Sequence, residues 1–172
     1  MSTSAWKTFY IVTFFVGILL LLAEISLYHD TIITNVIPIV IILVAGFVGF
    51  MLNKEHYKQT YNVKGFFFPL MQNILSWGFI ACYLFMASNY YLSFSQPKSY
   101  KFKIIEKNSM PGGKGDRDHR SPLVTFNYFG SEKELVFTYY ETDRVNKADS
   151  VAVTTKKGLL GFDILTNYTL IP

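Results

Sequence analysis

The chain has 172 residues, of which 51% are hydrophobic and 16% charged, and its formal net charge at pH 7 is +4. A net charge this small, without a dense basic stripe, argues against nucleic acid as a partner, and a single cysteine excludes an intramolecular disulfide. Residues 96–172 hold twelve of the sixteen Lys and Arg and nine of the twelve Asp and Glu. This asymmetry predicts a transmembrane domain at 1–95 and an extramembrane domain at 96–172.

Three hydrophobic runs predict three transmembrane helices in the first domain. The first run, at 9–28, contains one charge, Glu24, and it lacks the small-residue cleavage site of a signal peptide. The second span is expected at 34–52 and the third at 73–92, each long enough for a bilayer core of roughly 30 Å. The preceding stretch 66–72 is interrupted by polar residues and a proline, so we expect it to lie in the membrane interface.

The lysines near the spans predict the orientation. The loop between the first two spans has no Lys or Arg, whereas the next loop has Lys54, Lys58 and Lys64. This favours a cytoplasmic N-terminus and an extracytoplasmic C-terminal domain, as in a multi-pass protein of a bacterial inner membrane. Four lysines after the third span favour the opposite orientation: Lys98, Lys101, Lys103 and Lys107. We give them less weight because long domains cross the membrane largely regardless of charge.

Polar and small residues within the spans are candidates for function or for packing. Glu24 is a possible intramembrane polar site, either for handling an ion or proton or as a helix-end carboxylate that reaches the headgroup region. Small residues one turn apart let helix backbones approach closely. They predict helix packing, within the chain or between copies, at Ala45, Gly46, Gly49 and Gly78.

In the second domain, apolar and polar residues alternate, which is typical of half-buried strands. We expect a small antiparallel all-β domain, a barrel or sandwich of five or six strands, following the three-helix membrane domain. The strands are expected at 99–107, 123–129, 134–140, 150–155 and 159–165, with a short sixth at 168–171. Gly130-Ser131 is suited to a type II′ turn between the second and third strands. The polar segment 141–149 predicts a loop or one helical turn.

The segment PGGKGDRDHR, at 111–120, is the densest cluster of chemically versatile residues. It fails as a P-loop because Lys114 is followed by glycine and then by a strand. It has too few oxygen ligands for calcium, and one imidazole, from His119, is not a zinc site. We therefore expect neither a metal nor a cofactor. The segment is either a plain surface loop or an anion-binding patch, in which the contacting residues would be Lys114, Arg117, His119 and Arg120.

No catalytic constellation is evident, because the three histidines lie in separate loops and no G-x-S-x-G motif occurs. We expect a non-enzymatic integral membrane protein whose β domain contacts a protein or envelope component within an assembly, with Tyr139 or Tyr140 as contact residues. The alternative is a ligand-gated membrane effector whose cytoplasmic β domain binds an anionic small molecule. A transporter centred on Glu24 has too few polar partners. The expected partners are membrane lipid and another protein or a second copy.

Overall fold

The computed structural model describes residues 3–111 and 119–172. The chain divides into two compact units. The helical unit comprises Met1–Phe94 and Gly158–Phe162, and the β unit comprises Ser95–Lys157 and Asp163–Pro172. The change of unit after Phe94 lies next to the boundary expected from composition, but the assignment of Gly158–Phe162 to the helical unit was not expected.

Three long helices form the helical unit, and each is long and apolar enough to cross a membrane. The third helix is continuous but contains a π-helical turn, Ile74–Gly78. The elements are α1 (Thr3–Asp30), the two-residue strand β1 (Thr31–Ile32), α2 (Val36–Tyr61), α3 (Phe67–Asn73) and, after the π-helical turn, α4 (Phe79–Tyr91).

The helices extend beyond the predicted spans. Helix α2 continues through the polar segment predicted as a loop, where Glu55 and Lys58 form an i,i+3 ion pair of 3.6 Å. It ends where Asn62 takes the left-handed conformation, with φ of 52°. The third helix begins at Phe67, earlier than predicted, because Pro69 lies in its first turn, where a missing N–H is not costly.

Some apolar side chains of the helical unit are buried between its helices, and many others are exposed on its surface. Leu27, Cys82 and Met86 form a buried cluster between the helices. Many others face outwards, including Leu19 and Leu52, which are 64% and 75% exposed. A surface this rich in apolar side chains is suited to hydrocarbon rather than to water.

The strands of the β unit are β2 (Lys98–Met110), β3 (Ser121–Tyr128), β4 (Ser131–Val136), β5 (Ser150–Lys157) and β6 (Asp163–Ile171). They form an antiparallel sheet in the order β6-β5-β2-β3-β4. Its two edge strands meet, because the Tyr168 hydroxyl of β6 donates to Val136 O of β4 at 3.3 Å. The sheet is therefore nearly closed into a barrel, and the predicted fold class, three apolar helices followed by a small antiparallel β domain, is confirmed.

Alternate residues of the strands supply the core of the β unit. Val124 and Phe126 of β3, Val151 and Val153 of β5 and Ile164 of β6 have no exposed surface. The two-residue spacing within β3 and β5 is that of side chains on one face of a strand. Full burial of such a side chain stabilises the fold by about 1.5–3 kcal/mol, so these positions hold the sheet closed.

Three of the predicted strands, the third, fifth and sixth, differ from the observed ones. The third strand ends at Val136 instead of continuing to residue 140, because Thr138 and Glu141 form a capping box that starts a 3₁₀ turn. This turn leads into a short helix, α5 (Thr142–Lys147), in the segment predicted as a loop or helical turn. The strands expected at 159–165 and 168–171 are one strand, β6, preceded by a turn.

The β3–β4 hairpin turn also differs from the prediction. Tyr128 pairs with Ser131, so the turn residues are Phe129 and Gly130, with φ of 47° and 98°. Positive φ at both positions is the signature of a type I′ turn, not the predicted type II′ turn. The unusual conformation of Phe129 is stabilised by ring contacts, including one with Phe102 at 5.4 Å between centroids.

A buried polar contact joins β3 to β5 and β6, which lie on the other side of β2 in the sheet order. The Tyr128 hydroxyl lies 3.0 Å from Thr155 Oγ1 and donates to Asp163 Oδ2 at 3.1 Å. Burial raises the pKa of Tyr128, and although the Thr155 contact lowers it, the Asp163 carboxylate adds to the increase. The phenol therefore stays protonated and keeps its donor role at neutral pH.

Candidate functional site

A groove of about 520 Å³ lies on the β unit, where one end of the β2–β3 strand pair meets α5. In the strand pairing, Ser109 lies opposite Pro122, and α5 closes the groove on the other side. The lining residues are Lys107, Asn108, Ser109, Arg120, Pro122, Tyr139, Thr142, Val145 and Asn146. A volume of this size is in the range of small-molecule sites.

Two cations are held in place in the groove. Arg120 donates from Nε to Ser109 Oγ at 2.8 Å and from Nη2 to Ser109 O at 2.7 Å. Lys107 Nζ donates to Asn146 O at 2.8 Å. None of the lining residues that the structure describes is acidic. The groove therefore has a positive potential and a set of hydrogen-bond donors with fixed positions.

Exposed aromatic rings border the groove. Tyr139 lines it and makes an edge contact with His119 at 4.4 Å between ring centroids. Tyr140 follows, 92% exposed, with its ring 6.0 Å from that of Tyr139. We call these three residues the aromatic rim. Tyrosines that remain accessible beside a polar groove are typical of recognition surfaces.

The predicted anion-binding patch is only partly within the described chain. Arg120 lines the groove and His119 belongs to the aromatic rim, whereas Lys114 and Arg117 lie outside the described residues. Sequence reasoning missed Lys107 and Asn146. Lys107 was read only as an orientation signal, and nothing local in the sequence shows that strand pairing brings it close to Arg120.

Glu24 lies inside the helical unit and is only 5% exposed. Its Oε1 accepts a hydrogen bond from Cys82 Sγ at 2.9 Å, and the same thiol lies 3.7 Å from Pro38 O. These contacts connect all three long helices. The interpretation of Glu24 as a carboxylate that reaches the headgroup region is wrong, because the side chain turns inwards. In the described part of the chain, Oε2 has no hydrogen-bond partner.

The glycines predicted to pack helices lie at close approaches within the chain. A Cβ on Gly46 would lie 2.7 Å from Ile74 Cα, and one on Gly78 would lie 2.6 Å from Ile42 O. A Cβ on Gly49 would meet the Trp77 ring at 2.9 Å. Ala45 is half-buried.

Gly17 of α1 was not predicted, although it makes the closest approach of these glycines. A Cβ there would overlap Leu75 O and lie 3.0 Å from Ser76 Cα. Leu75 and Ser76 belong to the π-helical turn, as do Ile74 and Trp77, which face Gly46 and Gly49. The wider backbone of this turn thus fits against glycines of both other helices. The small residue one turn from Gly17 is Thr13, and no glycine or alanine lies at that spacing, so the pair was not recognised as a packing motif.

Two polar features of the described residues are therefore candidates for function: the cationic groove with its aromatic rim in the β unit, and the Glu24–Cys82 contact in the helical unit. The groove can bind through cations, donors and aromatic faces. Within residues 3–111 and 119–172, no group of three His, Cys, Asp or Glu side chains is placed to hold a metal ion. No protein-family model, curated protein or solved structure matches this chain.

Proposed function

We propose that this chain is a non-enzymatic integral membrane protein that holds its β unit at the membrane surface to contact another protein or an envelope component. The observation that carries this proposal is the combination of three apolar helices with a β unit that bears a cationic groove and exposed tyrosines. The helices supply the anchor and the β unit supplies the contact surface. We further propose that it works within an assembly.

We place the N-terminus and the α2–α3 loop in the cytoplasm and the β unit outside. Lys54, Lys58 and Lys64 support this orientation, because basic residues close to a span tend to stay in the cytoplasm. Lys54 and Lys58 lie in the last turns of α2 and Lys64 lies just beyond it, so all three are near the end of the second span.

Reporter fusions test the orientation. Alkaline phosphatase fused after Pro172 is expected to be active, because that enzyme requires an extracytoplasmic location, whereas the same enzyme inserted after Lys64 is expected to be inactive. A fluorescent protein that folds only in the cytoplasm should give the reverse pattern at the two positions. Fluorescence at Pro172 with an inactive phosphatase there would contradict an external β unit.

The aromatic rim is the proposed contact surface. Tyrosine is enriched at interface hot spots because it buries a large area with few rotatable bonds and retains a hydroxyl for hydrogen bonding. Tyr139 and Tyr140 are 45% and 92% exposed. The adjacent Arg120 adds a second residue type that is common at hot spots.

Site-specific photo-cross-linking tests the contact. A photoreactive phenylalanine in place of Tyr140 is expected to give one discrete adduct in intact cells, whose mass identifies either a second copy or another protein. The same amino acid at Glu132, an exposed position on β4, is the matched control and should give little adduct. Substitution Tyr139→Ala should reduce the Tyr140 adduct several-fold. Equal cross-linking from both positions would argue against a specific contact at the rim.

A second candidate is the ligand-gated effector, in which a cytoplasmic β unit binds an anionic small molecule. The positive groove without an acidic lining residue favours it. This function requires the opposite orientation, so the reporter pattern at Pro172 distinguishes the two candidates.

A further inference from the structure

We propose that the groove of the β unit is a phosphate-binding site in which Arg120 and Lys107 hold the anionic group of a phosphate ester. The inference rests on the proposed function in one respect, since it takes the groove as the recognition site of the β unit. It adds the chemical class of the ligand and the atoms that bind it.

Among the residues that the structure describes, the hydrogen bonds of Arg120 leave one edge of its guanidinium available. A guanidinium has five N–H groups in a planar fork. Ser109 accepts from Nε and from one N–H of Nη2, so within residues 3–111 and 119–172 both N–H groups of Nη1 and the second of Nη2 remain. These present parallel donors of the kind that bind two oxygens of a phosphate or carboxylate. Because Ser109 already fixes the plane, little side-chain entropy is lost when an anion binds.

Lys107 brings a second positive charge to the same end of the strand pair. Its ammonium has three N–H groups, and Asn146 O accepts from one of them. Lys107 precedes Ser109 on β2 by two residues, and Arg120 immediately precedes β3. The antiparallel register, with Ser109 opposite Pro122, therefore places both cations beside one groove.

The surroundings favour an anion that is part of a larger ligand. The nearby carboxylate of Glu141 is engaged, since it accepts from Thr138 at 3.0 Å and pairs with Arg144 at 3.4 Å. The volume of about 520 Å³ is far more than a phosphate ion needs. The ring of Tyr139 provides a wall against which the organic part of an ester can pack. Both a lipid headgroup and a free phosphate ester have this chemistry.

The test uses the full chain in phosphatidylcholine nanodiscs, with glycerol 3-phosphate as the soluble probe. We expect saturable binding by calorimetry, weakened at least tenfold by Arg120→Gln and by Lys107→Gln. Lys101→Gln, which removes an exposed cation of β2 that does not line the groove, should leave it unchanged. Binding should weaken with added salt, because exposed charges are screened.

A second arm distinguishes the source of the phosphate. If the ligand is a lipid headgroup, the nanodiscs should associate with added phosphatidylglycerol vesicles and not with phosphatidylcholine vesicles, and Arg120→Gln and Lys107→Gln should each abolish this association. Binding in either arm that is lost or weakened in both groove variants supports the site. The inference is overturned if neither probe binds, or if binding persists in either groove variant while that variant retains wild-type circular dichroism. Cross-linking from Tyr140 is measured separately, so failure here does not imply failure of the proposed contact.

Discussion

Replacing Gly17 with alanine is expected to lower the melting temperature of the protein in mild detergent by about 2–12 °C. The added Cβ would overlap Leu75 O, a backbone atom of the π-helical turn, so α1 and the third helix would have to move apart. Overpacking of this kind typically costs about 1–3 kcal/mol. Tryptophan fluorescence during heating follows the separation, because Trp77 lies in this turn and the other tryptophan, Trp6, lies on α1.

The matched control for this change is Val16→Ile. Like Gly17→Ala, it adds one carbon atom, but to the neighbouring residue, which is 40% exposed and faces outwards. Its melting temperature should stay within the error of the measurement. If Gly17→Ala and Val16→Ile have the same melting temperature, then the backbones of α1 and the third helix are not in contact at Gly17. The packing described for the π-helical turn would then be wrong.

The three helices could be predicted because hydropathy over twenty residues is a strong local signal. The residues at which these helices end could not be predicted in the same way. Helix α2 continues through charged residues such as Glu55 and Lys58, whose composition also fits a cytoplasmic loop. The contact between Glu24 and Cys82 could not be predicted from the sequence either. It depends on which face each helix turns towards its neighbours, and these helices are apolar on every side.

In the β unit, alternation identified most strands, and the errors came from residues whose contacts lie elsewhere. Leu159 to Phe162 are apolar enough to be read as a strand, yet they form a turn in the helical unit, where the ring of Phe162 lies 5.8 Å from that of Phe85. The prediction of the groove was incomplete for the same reason, because some of its residues are distant in the sequence. Arg120 was identified from its local cluster, but its partner cation Lys107 could be found only from the register of β2 and β3.

Asn89 explains why the turn at 158–162 belongs to the helical unit. This residue of α4 is completely buried. Its Oδ1 accepts from Leu160 N at 3.1 Å, and its Nδ2 donates to Phe162 O at 3.3 Å. Its own backbone oxygen accepts from Leu159 N at 3.3 Å. The turn can approach so closely because position 158 is glycine, where a Cβ would overlap the Asn89 amide.

Substitution Asn89→Leu is therefore expected to release this turn. Leucine has a similar volume but no hydrogen-bonding side-chain atoms, so Leu160 N would lose its partner, whereas Phe162 O would keep the bond that it accepts from Gly158 N. Leaving the Leu160 amide unpaired costs about 1–3 kcal/mol. Hydrogen exchange of the peptide that covers residues 158–162 should become at least tenfold faster, since about 1.4 kcal/mol corresponds to a tenfold change.

The matched control is Ser88→Ala, because the Ser88 hydroxyl donates to Leu84 O of its own helix. Removing it should leave exchange at 158–162 unchanged. Gly158→Ala should behave like Asn89→Leu, since the added methyl group would push the turn away from the amide while keeping every hydrogen-bonding atom. Agreement of these two variants would show that contact with Asn89, rather than the β strands on either side, keeps the turn ordered. Unchanged exchange in both would show that Asn89 is not needed, and that the flanking strands and the turn's own bonds from Gly158 N to Phe162 O and from Gly161 N to Gly158 O hold it.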